Sequence, residues 1–329
     1  EIIDAFIADR FKDAGASFNR EAEKHVLARR VALVLTGLPP ELDVLDEYLE
    51  DDSEQAYENL VENLLANSRY GEHQARYWLD AVRYGDTHGL HLDNRRGIYP
   101  YRDWVVGAMN ENLPFDDFIT WQLAGDLLPE PSLEQLVATG FVRMNPSTAE
   151  GGAIPAEFQA KNNFDRTETL GTVLLGMTLT CSRCHTHKYD PITQTEYYQL
   201  MAFFNSTAES AMDGNSYTYA PVVNAPKDQA GWSQWKQFEK EKDRVVAEAA
   251  NLIGETVKLD DAQLQVWKDA SVEAKLKLVG DSAGAFAQFE IHQQASKLQM
   301  AIDASAKEYT TTLVAKELGK PRETKILHR

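Results

Sequence analysis

The chain has 329 residues, of which 43% are hydrophobic and 26% charged, enough for one or two soluble globular domains with proper cores. Its formal net charge of −18 opposes binding to nucleic-acid phosphates, which needs clustered Lys and Arg, and disfavours anionic membrane surfaces. The same charge suits a basic protein partner or a saline setting equally well.

No run of 18 apolar residues offers a membrane span. The first residues, Glu1-Ile2-Ile3-Asp4-Ala5-Phe6, lack the basic region and apolar run of a secretion signal and read as an amphipathic helix over residues 2–14. Asn19 is a candidate N-cap for a second helix reaching Thr36, which Gly37-Leu38-Pro39-Pro40 should stop. Ser53 opens a helix to about Asn67. Ser68 opens another, with Tyr70, Ala75, Trp78, Leu79 and Val82 at helical spacing and an end near Gly85. Ser132 with Gln135 has the capping-box pattern. A longer helix is predicted over 156–179, another over 195–205, and an extended segment over 217–226. Trp78, Trp104 and Trp121 read as core.

At Lys227 the composition shifts to Ala, Glu, Lys and Gln, which predicts a hairpin of two long helices over 227–318, with shorter helices near 260–278. A partner-binding coiled coil is the functional alternative, but sustained heptads are not clear. The fold class expected is therefore mostly α. A helical domain over 1–226 carries the chemistry and is followed by the hairpin.

That chemistry lies in residues 181–188, Cys-Ser-Arg-Cys-His-Thr-His-Lys, which hold the only two cysteines. Cys-x-x-Cys-His is the attachment pattern of c-type haem. Two thiols on one turn add to the two vinyl groups at one porphyrin edge, and the adjacent His185 offers its imidazole to the iron. Three other readings stay open. Cys181 and Cys184 would form a redox disulfide, although the alternating strands and helices of a thioredoxin-like setting are absent. Cys181, Cys184, His185 and His187 would surround a structural zinc, four ligands packed more tightly than the usual split pairs. The pattern would also arise by accident.

Residues 178–192, Thr-Leu-Thr-Cys-Ser-Arg-Cys-His-Thr-His-Lys-Tyr-Asp-Pro-Ile, resemble the planctomycete cytochrome c-like family of secreted bacterial proteins. Further stretches agree in order: 35–40 (Leu-Thr-Gly-Leu-Pro-Pro), 68–72 (Ser-Arg-Tyr-Gly-Glu), 78–84 (Trp-Leu-Asp-Ala-Val-Arg-Tyr), 86–89 (Asp-Thr-His-Gly), 101–104 (Tyr-Arg-Asp-Trp), 122–126 (Gln-Leu-Ala-Gly-Asp) and 150–152 (Glu-Gly-Gly). Together they cover about residues 1–210. The resemblance implies one covalent haem c, assembled outside the cytoplasm in the periplasm or beyond the cell. It also implies a setting near polysaccharide breakdown. Residues 319–329 look like the junction to a further, downstream domain of the same protein.

Across the iron from His185, the loop Asp86-Thr87-His88-Gly89-Leu90-His91 supplies His88 as first candidate ligand and His91 as second; a surface or core-bonded histidine is the plain alternative for each. Met144, Met177 and Met201 are rivals, although methionine at helical spacing usually fills core. His187 lies too near His185 to reach the opposite haem face and would instead bond a propionate or bind a second metal. Asp86, Glu150, Asp165 and Arg166 are weak candidates for acid–base work or substrate binding, each with helix capping or ion pairing as the plain alternative. His25, His73, His292 and His328 read as structural.

Three functions follow as expectations. The first is a haem c protein that moves electrons, its acidic face docking a basic redox partner. The second is a haem enzyme whose open iron site acts on a carbohydrate or an oxygen species. The third is a non-catalytic interaction module with a structural zinc.

Overall fold

The computed structural model describes residues 2–213 and 216–327, and its architecture is mostly α. Among the described residues there are fourteen α-helices and one two-stranded sheet. None of the helices is long and apolar enough to cross a membrane. The chain divides into two compact units, Glu1–Gln74 and Ala75–Arg329. The compositional boundary at 226/227 therefore falls inside the second unit. There the hairpin has an apolar cluster of its own, from Val245 to Leu298, while Trp232, Leu313 and Ala315 join the cluster of the preceding residues.

The first unit contains α1 (Ile2–Asp13), α2 (Lys24–Leu35), α3 (Leu42–Glu50) and α4 (Ala56–Ala66). Ala28 and Ala32 of α2 let it approach Tyr48 of α3 and Leu60 and Leu64 of α4 in one small core. Helix α2 starts at Lys24 behind Glu23, not behind Asn19, and Ser53 yields the cap position of α4 to Gln55. The stop after α2 is where the glycine and prolines predict it. Gly37 has φ +72, and a Cβ there would sit 2.3 Å from His73 Nδ1, so only glycine fits between the turn and that ring. His73 is packing, as expected. Helix α1 buries none of its residues.

Helix α5 (Arg69–Ala81) crosses the boundary and ends four residues before Gly85, because Arg83 itself takes the left-handed conformation at φ +59. Next come α6 (Tyr99–Asn110), α7 (Phe115–Ala124) and α8 (Leu133–Ala138). Ser132 and Gln135 cap α8 reciprocally, as their spacing predicts. The tryptophans meet around Phe118. Trp104 stacks on it at 5.3 Å and Trp78 meets it edge-on at 4.9 Å, pairs worth roughly 0.5–1.5 kcal/mol each beyond their burial. The Trp78 indole N–H donates to Gln122 Oε1, which also accepts from Tyr101 Oη at 2.7 Å, so the polar ends of these three side chains satisfy one another.

Helix α9 (Pro155–Leu174) and α10 (Gln194–Asn205) flank the Cys-x-x-Cys-His segment. The extended stretch after them contains β1 (Val222–Ala225), paired antiparallel with β2 (Thr310–Leu313) in the register Val222–Leu313 to Ala225–Thr310. Between these strands run α11 (Gln229–Leu252), α12 (Asp261–Asp269), α13 (Val272–Val279) and α14 (Glu290–Ala306). Arg244 bonds Gln294, and Ser305 bonds Gln234, so α11 and α14 are antiparallel and form the hairpin that the composition predicts. Val245, Ala249, Leu276, Ile291, Ala295 and Leu298 fill its core. His292 Nδ1 donates to the Val279 carbonyl at 3.1 Å and ties α14 to the end of α13. His328 and Arg329 lie outside the described residues, as does part of the expected junction.

Candidate cofactor-attachment site

Helix α9 ends at Leu174, five residues short of its predicted end, and Gly176 at φ +62 turns the chain back. Leu179 then seats against Gly171, where a Cβ would meet its Cγ at 2.5 Å. With Leu179 fixed, residues 180–183 wind into a short 3-10 turn. The Ser182 N–H donates to Leu179 O at 2.9 Å, and the N–H groups of Cys184 and His185 donate to Cys181 O at 3.2 and 3.3 Å. Ser182 is buried, Cys184 half-buried, and Cys181 and His185 are exposed. Both thiols and the imidazole thus come from a single hydrogen-bonded turn.

The turn is clamped from below. Arg183 lies over the Phe164 ring at 4.3 Å, and its guanidinium pairs with Glu168, also on α9. The same Glu168 oxygen accepts from Tyr197 Oη at 3.0 Å. The Arg183 carbonyl accepts from Tyr198 Oη at 3.1 Å and from Gln194 Nε2 at 3.2 Å, both on α10. Helix α10 is itself fixed by a capping box between Thr193 and Glu196. Burial pushes the Tyr197 hydroxyl well above its ordinary range, with the Glu168 charge adding to it, so it stays a donor. The sequence predicts the helix over 195–205 but not this clamp. The Thr-x-x-Glu at 193–196 is the one signal that locates the start of the supporting helix.

His185 Nδ1 lies 2.8 Å from the Thr186 carbonyl oxygen. A carbonyl only accepts, so Nδ1 carries the proton and the lone pair is on Nε2, at an exposed ring. His187 is held the opposite way. Its side chain is buried, and its Nδ1 accepts from the Asp190 N–H at 2.8 Å and the Tyr189 N–H at 3.3 Å. That assigns the ring proton of neutral His187 to Nε2 and leaves no lone pair for a metal. Among the described residues no three His, Cys, Asp or Glu side chains gather in a metal-holding arrangement, so the four-ligand zinc reading of 181–187 gains no support.

The expected second ligands lie elsewhere in the hydrogen-bond network. His88 is 1% exposed, with Nε2 at 2.8 Å from the Ser216 carbonyl and Nδ1 at 3.0 Å from Ser147 Oγ. The carbonyl requires the proton on Nε2, so Nδ1 accepts from Ser147. Both nitrogens are occupied, and His88 in this arrangement ties residues 147 and 216 to its own loop instead of offering a ligand. His91 is exposed in the left-handed region at φ +56, with Nδ1 4.0 Å from Glu150. Met144 and Met201 are buried in apolar clusters, as core methionines are.

The four weak candidates for acid–base work are not brought together. Asp86 accepts from Tyr84 Oη at 2.6 Å, and Glu150 stands at the surface beside His91. Asp165 receives a two-pronged bond from Arg83, at 2.6 and 2.7 Å. Arg166 points the other way, into the interior. There it bonds Asn145 Oδ1 at 2.9 and 3.0 Å, Thr207 Oγ1 at 3.1 Å, and Glu209. Arg143, bonded to Asp213 at 2.9 Å, extends the same buried network. Burial raises the Glu209 carboxyl, but the charges of Arg166 and Arg143 outweigh it and hold the group below its ordinary range. Arg166 is a fold-holding residue.

No curated protein and no solved structure matches the chain. A family model does match, and the turn with both helices that clamp it falls within the matched span. By this match over residues 2–209, the chain belongs to the PSCyt2 family, described as a protein of unknown function (DUF1549).

Proposed function

We propose that the turn at Cys181–His185 binds one covalent haem c and that the protein moves electrons outside the cytoplasm. One observation carries the reading. His185 donates its Nδ1 proton to a backbone carbonyl and thereby keeps the Nε2 lone pair on an exposed ring, on the same turn as the exposed Cys181 and the half-buried Cys184. That is the tautomer an iron ligand requires, with the second nitrogen fixed by a backbone acceptor that sets the ring's orientation. The donor set fits the group. Cys181 and Cys184 would hold the group through thioether bonds, and His185 would ligate its iron.

When bound, haem c supplies a one-electron couple. The chain's own residues do the rest. Arg183, Glu168, Tyr197 and Tyr198 fix the turn between α9 and α10, so the backbone that carries the two thiols and the imidazole is ordered before anything binds. The exposed position of Cys181 supports electron exchange at the surface, and the −18 charge favours a basic redox partner by steering it.

The test is the visible spectrum of protein matured in a host with c-type assembly machinery. A Soret band that persists after denaturation is expected, and it should be lost in Cys181→Ser/Cys184→Ser. A spectrum unchanged by cyanide or carbon monoxide supports electron transfer. A ligand-responsive one supports an enzyme with an open iron site instead. Protein with no Soret band ends the haem reading.

A further inference from the structure

A groove of about 640 Å³ runs between the end of α7, the C-terminal half of α10 and the chain after β2. Its lining is largely apolar: Val142, Leu170, Leu200 and Phe204 line it together with Leu127 and Phe203. The last two stand in water. Phe203 is 73% exposed and Leu127 58%. Covering two such apolar side chains favours a complex, so their exposure marks the lining as a surface suited to a partner. All of these residues belong to the second compact unit.

Two carboxylates sit in the same lining, Asp126 and Glu317. The Glu317 N–H donates to Asp126 Oδ2 at 2.8 Å, which holds the two residues side by side. Burial raises the Glu317 carboxyl, and the neighbouring Asp126 charge raises it further. An arriving ammonium or guanidinium would offset the repulsion between the two carboxylates.

We propose that this groove docks a basic amphipathic helix of a partner protein. The helix would lay its apolar face on Phe203, Leu127 and Leu200 and place Lys or Arg against Asp126 and Glu317. Recognition of this kind needs apolar anchors at helical spacing with flanking charges, and both complements are present. A small molecule inside the groove would leave the protruding Phe203 and Leu127 in water, whereas a helix lying across the mouth covers them. The −18 net charge steers a basic partner towards the chain from a distance. None of the groove residues belongs to the Cys181–His185 turn, so the docking reading and the haem reading stand or fall separately.

The test uses the full chain and a fluorescein-labelled helical peptide of about 18 Leu and Lys residues, followed by anisotropy. Saturable binding is expected, and the same peptide with Glu in place of Lys should not bind. Phe203→Ser should weaken the Lys peptide about tenfold, and Asp126→Asn/Glu317→Gln by a similar factor. Asp46→Asn/Glu50→Gln, which removes the same charge from exposed positions on α3, should change binding less than about twofold. Phe203 is exposed, so its loss should leave the fold intact, and unchanged thermal unfolding would verify that. Equal weakening by the two charge pairs, or no effect of Phe203→Ser, overturns the proposal as mere attraction to an acidic protein. Saturable binding of decylamine with no binding of the Lys peptide overturns it in favour of a small amphiphile.

Discussion

Two Arg–carboxylate pairs hang from α9 within three residues of each other, and they do opposite work. Arg166 turns inward to Glu209, and both side chains are almost fully buried. Glu168 turns to Arg183, and both remain partly in water under the Cys-x-x-Cys turn. The inner pair spends the Arg166 donors on Asn145, Thr207 and Glu209, so the guanidinium is committed to holding the fold. The outer pair supports a turn that carries two thiols and one imidazole, with Cys181 and His185 exposed. A charged residue in a matching segment is therefore no guide to function until the direction of its free donors and lone pairs is known.

The sharpest way to break this comparison is Arg166→Met. It leaves Glu209 buried without its partner and should cost about 3–5 kcal/mol in urea unfolding. A loss under 1 kcal/mol would show that the inner pair is not holding the fold.

His88→Ala comes next. It removes two buried hydrogen bonds and should cost about 2–3 kcal/mol while leaving any haem spectrum unchanged. A shift in spin state would return His88 to the list of iron ligands. Burial, offset in part by the Ser216 carbonyl, holds the His88 ring below its ordinary pKa. The unfolded chain therefore binds the proton first. The stability this group contributes is complete above about pH 6.5 and falls as pH drops below it, by at most about 1.4 kcal/mol per pH unit. His88→Gln should remove that part of the acid dependence between pH 7 and 5.

The smallest effect belongs to the outer pair. Glu168→Gln keeps the shape of the clamp and should cost only about 1 kcal/mol, because the pair is partly screened. Its mark should be local. Amide exchange at residues 181–185 should quicken while exchange in α14 stays as it was. Uniform quickening would make Glu168 another general support of the fold.

What the sequence revealed followed from local physics. The glycine–proline stop after α2, the Ser132 capping box, the long helices of the hairpin and the Cys-x-x-Cys-His turn all rest on residues within a few positions of one another. Helices α3, α6 and α7 escaped because their first residues carry no side-chain cap, and α6 buries Tyr101, Trp104 and Val105 with little polar contrast. Arg83 ended α5 early by taking a conformation usually left to glycine. At the site, the motif was legible but its surroundings were not. His88 looks like a free loop histidine until Ser216, 128 positions away, claims its Nε2. Arg166 looks equally available until Glu209 arrives from 43 positions along the chain.

The central claim is that Cys181 and Cys184 form one prepared turn for covalent attachment, and intact-mass measurement tests it most directly. Protein co-expressed with c-type assembly machinery should weigh one haem more than the bare chain, and Cys181→Ser/Cys184→Ser from the same host should not. A wild-type chain of unmodified mass, folded and matured beside a control cytochrome that does carry its haem, would contradict the account.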